Sequence, residues 1–371
     1  MKNLKIKHRT QHLPLAFTGL SLGLGGLGNC LALLCSQNGY NATWISYITI
    51  SIVILIILVM LARNIMHPKI LNAELNEPLS VTLVPTFSMS LMLIGAFIAS
   101  FSKIKTSGYQ IVGSIVMILA ILIQCILIVY FFRSIVKNHI KAKNNPAYGS
   151  YFVPTVGLIT ACTVATKFTL LPALFFQIIW FIGFTFYIIS FPFVTYAILF
   201  KAKADVSKFP TIAIWFAPTN LTPAGFIVSF LFNNHDAYYS QQFLNSIFLL
   251  TTMCGFVFSI ILYMYVFNIF ISHKFQPIFC SMTFPCAIGA TSMINAAKYL
   301  HVNILKENAN NLINLSHDFA NTCMWFFGIV GIIFSVFASS IIFYILGRMM
   351  YLGGKTLFTS LKDNEFHHVY K

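Results

Sequence analysis

The apolar positions of this 371-residue chain do not recur on one helix face but fill long, nearly uninterrupted runs, with polar and charged residues gathered in short turns between them. Ten such runs lie near 13–36, 42–62, 79–101, 109–132, 151–172, 174–200, 209–232, 241–271, 276–300 and 320–346. A helix needs about 20 apolar residues to cross the hydrocarbon core. The pattern predicts an all-α integral membrane protein of ten transmembrane helices arranged as five hairpins. A tail of residues 1–12 precedes the transmembrane domain at 13–346, and a tail at 347–371 follows it. No room remains for a separate soluble domain. The first run follows a basic segment, as a signal peptide would, but it is longer than a signal core and lacks a small-residue cleavage site. It reads as the first span.

A repeat runs through the odd-numbered stretches. Pro14, Pro85, Pro154, Pro218 and Pro285 fall in stretches one, three, five, seven and nine, at intervals of 71, 69, 64 and 67 residues. Local sequence echoes it in "LVPTFSMS", "YFVPTVGL" and "KFPTIAIWFAPT". In matched 22-residue windows the odd stretches hold 39 Gly, Pro, Ser or Thr in 110 positions, and the even ones 21 in 110. A proline inside a helix removes a backbone hydrogen bond at a cost of roughly 3 kcal/mol. Bent backbone survives at membrane depth only where it faces protein or a wet cavity. The odd helices are therefore expected as an inner ring of five around a pore, kinked at these prolines, and the even ones as an outer ring facing lipid. Close packing of small residues is the ordinary reading of the glycine ladder "GLSLGLGGLGN", but packing alone does not explain five hydroxyl-rich helices at regular intervals.

Composition then narrows the class. The chain is 58% hydrophobic and 8% charged, with a mean hydropathy of +0.82, where a soluble domain carries about 25% charged residues. The net charge of +15 is mostly topological: of 23 Lys and Arg, 18 fall in the tails and on one side of the alternating turns. The other side holds Lys103, Lys105, Lys167, Lys298 and Lys306. The positive-inside rule then puts both termini in the cytoplasm, and no nucleic-acid partner is implied. The eight cysteines all lie within predicted spans, as small buried residues.

Ionisable groups are nearly absent from the spans. Asp236, Glu307 and Asp318 fall in outer turns, and Glu74, Glu77, Asp205, Asp363 and Glu365 on the inner side. Proton relays and cation-coupled carriers usually place a carboxylate at depth, and no H-E-x-x-H or similar ligand spacing occurs. The reading is therefore no enzyme, no metal and no cofactor. A pore without fixed negative charge, lined by hydroxyls, suits small inorganic or carboxylate anions. Thr18, Thr86, Thr155, Thr219 and Thr283 are the candidate lining residues.

Three segments carry a family likeness over nearly the whole chain. "LPLAFTGLSLGLGGLG", "KFPTIAIWFAPTNLTPAGF" and "FCSMTFPCAIGAT" resemble the tellurite-resistance/dicarboxylate transporter family, which includes plant slow anion channels and bacterial tellurite-resistance proteins. The resemblance implies a homotrimer in the cell membrane, each protomer with its own pore of five inner helices. It also implies a pore gate at Phe284, directly before Pro285. On the residues alone, Phe284 is one of 38 phenylalanines, for which core packing is the ordinary role. The family also divides among chloride- or nitrate-type channels, carriers for malate and other C4-dicarboxylates, and exporters of sulfite or tellurite-related anions. The residues leave that choice open. Neither tail is long enough for the extended regulatory domains of the plant members, so their regulation is not expected here.

Overall fold

The computed structural model describes residues 13–37, 39–141, 148–201, 206–232, 239–305 and 317–358. The N-terminal tail, residues 359–371, and Asp205, Asp236, Glu307, Asp363 and Glu365 lie outside these, as do Lys143, Lys203 and Lys306. The described residues form helices joined by short turns, with no strand among them, and the protein is an all-α membrane protein.

The helices in chain order are α1 (Ala16–Gln37), α2 (Thr43–Met66), α3 (Pro68–Asn76), α4 (Ser80–Leu83), α5 (Thr86–Ala99), α6 (Gly108–Lys141), α7 (Phe152–Val156) and α8 (Ile159–Cys162). They continue with α9 (Ala173–Tyr196), α10 (Ala217–Phe226), α11 (Gln241–Ser272), α12 (Thr283–Leu305) and α13 (His317–Phe358). Tighter 3₁₀ segments precede α7, α10 and α12 at Gly149–Tyr151, Val206–Phe216 and Pro277–Met282, and a wider π segment follows α10 at Ile227–Leu231.

The predicted alternation of the two helix classes is visible in the backbone. The even stretches form the long helices α2, α6, α9, α11 and α13, and α9 even carries Pro192 without a break. Stretches three, five and seven are composites of shorter helical pieces, and stretch nine joins a 3₁₀ turn to the 23-residue α12. Nine segments of the described residues are long and apolar enough to cross a membrane. The fifth stretch is not among them, because between residues 149 and 167 it is split into pieces of three to five residues. The last helix also runs further than expected, to Phe358, through half of the segment assigned to the C-terminal tail.

Burial separates the same two classes. In the odd spans 56–89% of the most apolar window is buried, against 28–33% in the even ones. The even helices present Leu58, Ile118, Phe193, Leu250, Met264 and Phe337 outward, as a lipid-facing helix must. The glycine ladder of α1 is packing surface. A Cβ at Gly23 would land on Thr283 of α12, and one at Gly28 on the Thr49 hydroxyl of α2, so glycine lets α1 approach both neighbours closely.

Directly after α2, α3 is an addition that hydropathy alone does not reveal. Its Glu74 receives both guanidinium nitrogens of Arg63 on α2, at 2.6 and 2.8 Å, and Arg63 is only 3% exposed. This paired fork holds α3 against the end of α2.

Candidate functional site: a cavity where the inner helices begin

Five prolines raised the question of how broken backbone is tolerated. Each lies in, or just before, the first turn of a new α-helix. Pro14 precedes α1, Pro85 directly precedes α5, and Pro154, Pro218 and Pro285 are residues three, two and three of α7, α10 and α12. The first turn is where an amide N–H has no intrahelical partner, so a proline there gives up little. The expected compensation, a freed carbonyl turned to the cavity, is thus largely unnecessary.

Carbonyls at the remaining irregularities are met by side chains from the long helices. Gln124 of α6 donates from Nε2 to the carbonyls of Pro154 (2.6 Å) and Val153 (3.1 Å), and its Oε1 accepts from Ser88. Trp180 of α9 donates to Thr222 O at 3.0 Å, and Gln177 to Ser229 O in the π segment at 3.3 Å. Tyr263 of α11 donates its hydroxyl to Cys286 O of α12 at 2.9 Å or to Phe334 O of α13 at 3.1 Å. A search for charged groups in the spans passes over these residues. An uncharged amide at membrane depth, which also demands a partner, was the signal that could have found Gln124 and Gln177.

Around the helix starts lies a cavity bordered by all five odd stretches. Leu15, Ala16, Gly19 and Leu22 line it from the first, and Leu83, Thr86 and Met89 from the third. Phe152, Val153, Val156 and Gly157 belong to the fifth, and Ile214, Ala217, Pro218 and Leu221 to the seventh. Ile278, Cys280, Ser281, Phe284 and Pro285 complete it from the ninth. It has about 40 Å³ for the centres of water-sized molecules, enough for on the order of three waters. No charged side chain is among its lining residues.

Of the five threonines singled out from the sequence, the lining contains Thr86 alone. Its hydroxyl lies 2.7 Å from both Thr18 Oγ1 and Leu83 O. Thr18, Thr219 and Thr283 donate to the carbonyls three residues before them, Leu15, Phe216 and Cys280, each at 2.7 Å. Thr155 is buried, and its hydroxyl has no hydrogen-bond partner among the described residues. Among the prolines, Pro218 and Pro285 are lining residues, whereas Pro14, Pro85 and Pro154 are not. Ser281, not singled out beforehand, reaches the lining and donates to Pro210 O at 2.9 Å.

Phe284 is 9% exposed and borders the cavity. The odd stretches run parallel, so Leu22, Met89, Gly157, Leu221 and Phe284, the later residues of each lining set, mark one end of the cavity. Leu15, Leu83, Phe152, Ile214 and Ile278 mark the other. Of the inner helices α1 begins here, at Ala16, whereas α10 and α12 continue directly from 3₁₀ turns.

A comparison with curated proteins finds no match. The stretch from residue 12 to residue 350, most of the chain, matches the SLAC1 family, voltage-dependent anion channel, and the protein belongs to that family of anion channels and transporters.

Proposed function

We propose that each protomer conducts small anions through the axis of its five odd stretches, and that the ring of Phe284 closes this path at the end of the cavity. The single observation that carries the reading is the convergence of all five stretches on one uncharged cavity with Phe284 at its margin. A lining with no charged side chain holds an anion without the tight grip of a fixed cation. Weak binding permits release, which conduction requires.

The nearly apolar lining also favours one part of the family's range. Thr86 and Ser281 are the hydroxyl side chains on the cavity, and both have backbone carbonyls as partners. A divalent anion would lose much hydration and regain little. Monovalent anions of the chloride or nitrate kind suit the site better than malate or sulfite. The resemblance further supports a homotrimer in the cell membrane, and the basic bias of the inner turns supports cytoplasmic termini.

Purified protein in liposomes tests the reading. Anion current that rises with voltage and ignores an imposed proton gradient is expected. Saturating flux driven by a pH gradient would favour a coupled carrier, and no flux of any small anion would refute a conducting path. Reporter fusions after Lys143 and after Asp236 are expected on opposite faces of the membrane.

A further inference from the structure

At the opposite end of the bundle, three lysines from three different stretches are drawn together. Gln110 of α6 donates from one nitrogen to Ser102 O at 2.7 Å and to Lys167 O at 3.0 Å, and its Oε1 accepts from Thr169 N at 3.0 Å. Both donated bonds end on one atom, so those two carbonyl oxygens lie no further apart than the sum of these distances. The turn bearing Lys103 is thereby pinned beside the turn bearing Lys167. The Ala165–Lys167 turn packs on the Ile227–Leu231 segment. Phe232 follows that segment, and the Lys298 ammonium sits over its ring, 5.6 Å from the centroid. Burial first, and then the charges of Lys103 and Lys298, push the Lys167 ammonium below the usual lysine range.

This gathering is unusual for its side of the molecule. Only five of 23 basic residues fall on that side by sequence, and three of the five are in the cluster. None of the three forms an ion pair with an acid among the described residues. The ring contact holds Lys298 in place without neutralising it. Lys298 is 14 residues beyond Phe284 on the same helix, about 21 Å along the axis. Like charges held together repel one another, and an anion between them removes that cost.

We propose that Lys103, Lys167 and Lys298 form an outer anion-capture site that takes small inorganic anions such as chloride from solution and feeds them to the path closed by Phe284. Its purpose rests on the conducting reading above; its existence as a binding site does not.

Two measurements separate these. Wild-type protein in liposomes is labelled from outside with a membrane-impermeant amine-acylating reagent, in sodium chloride or in sodium gluconate of equal ionic strength. Chloride is expected to slow labelling of Lys103, Lys167 and Lys298 together while leaving Lys105 unaffected. Equal labelling in the two salts would overturn the site. Conductance is then compared between wild type and the triple variant Lys103→Gln, Lys167→Gln, Lys298→Gln. At about 10 mM outer chloride the variant is expected to conduct about tenfold less. The difference should vanish near 1 M, where screening acts over about 3 Å. Equal conductance at low salt would overturn the feeding role. Chloride protection in a wild type that passes no anion current would keep the site and sink the conducting reading.

Discussion

The ring of Phe284 lies against Gly26, so that a Cβ added to this glycine would come 3.7 Å from Phe284 Cδ2 and 3.3 Å from the Ala287 methyl. The first distance is ordinary contact and the second is tight. The absence of a side chain on α1 therefore leaves the Phe284 ring room to shift. Gly26→Ala is expected to hold the ring more firmly and to lower anion flux. Since residues in contact show coupled effects of about 0.5–3 kcal/mol, the change should lose its effect on flux in a Phe284→Ala background. Independent, additive effects on flux would show that Gly26 acts elsewhere.

Gln124 supplies two donors to the broken fifth stretch. Gln124→Leu keeps an apolar bulk but strands the Pro154 carbonyl in a buried place, while Val153 O keeps the Gly157 N–H at 3.2 Å. Each buried polar group left unpaired costs about 1–3 kcal/mol. A fall in thermal midpoint of the detergent-solubilised protein is expected, far larger than for Cys125→Ala on the exposed face of the same helix. Equal midpoints for the two variants would show that the fifth stretch does not depend on Gln124.

The threonines should divide by position. Thr86→Val removes a hydroxyl from the cavity lining and is expected to change conductance or anion preference. Thr219→Val removes only a bond to its own helix turn, and its flux should match wild type. Thr155→Val removes a buried hydroxyl that has no partner among the described residues and is expected to raise stability by roughly 1 kcal/mol. Flux that is unchanged in Thr86→Val, or lowered stability in Thr155→Val, would contradict this division.

Much of this architecture was legible in the chain because membrane depth imposes different demands on the two helix classes. Lipid accepts only continuous apolar helices, so α2, α6, α9, α11 and α13 could be read from hydropathy. The inner stretches are freed from that constraint, and their excess of Gly, Pro, Ser and Thr marked them as buried. The role of the prolines was less legible. Their spacing showed a repeat, but a one-dimensional pattern does not distinguish a kink within a helix from a new helix start. Nor does composition show whether a hydroxyl faces a cavity or its own preceding turn, which is why Thr86 and Thr219 look alike in sequence and lie in different surroundings. Gln124 was missed because its partners are carbonyls some thirty residues away, with no spacing rule to connect them.

The central claim, that the ring of Phe284 blocks a conducting path, is tested most directly by chloride and nitrate flux into liposomes for Phe284→Ala, normalised to folded protein. Phe256→Ala on α11 serves as a packing control, since that ring contacts Phe326 of α13 on the outer layer. A phenylalanine truncated in a core ordinarily costs about 3–5 kcal/mol, so a mere packing residue would give poorly folded protein and no gain of transport. Phe284→Ala is expected to raise flux well above wild type, and Phe256→Ala is not. Well-folded Phe284→Ala with flux no higher than wild type would contradict it.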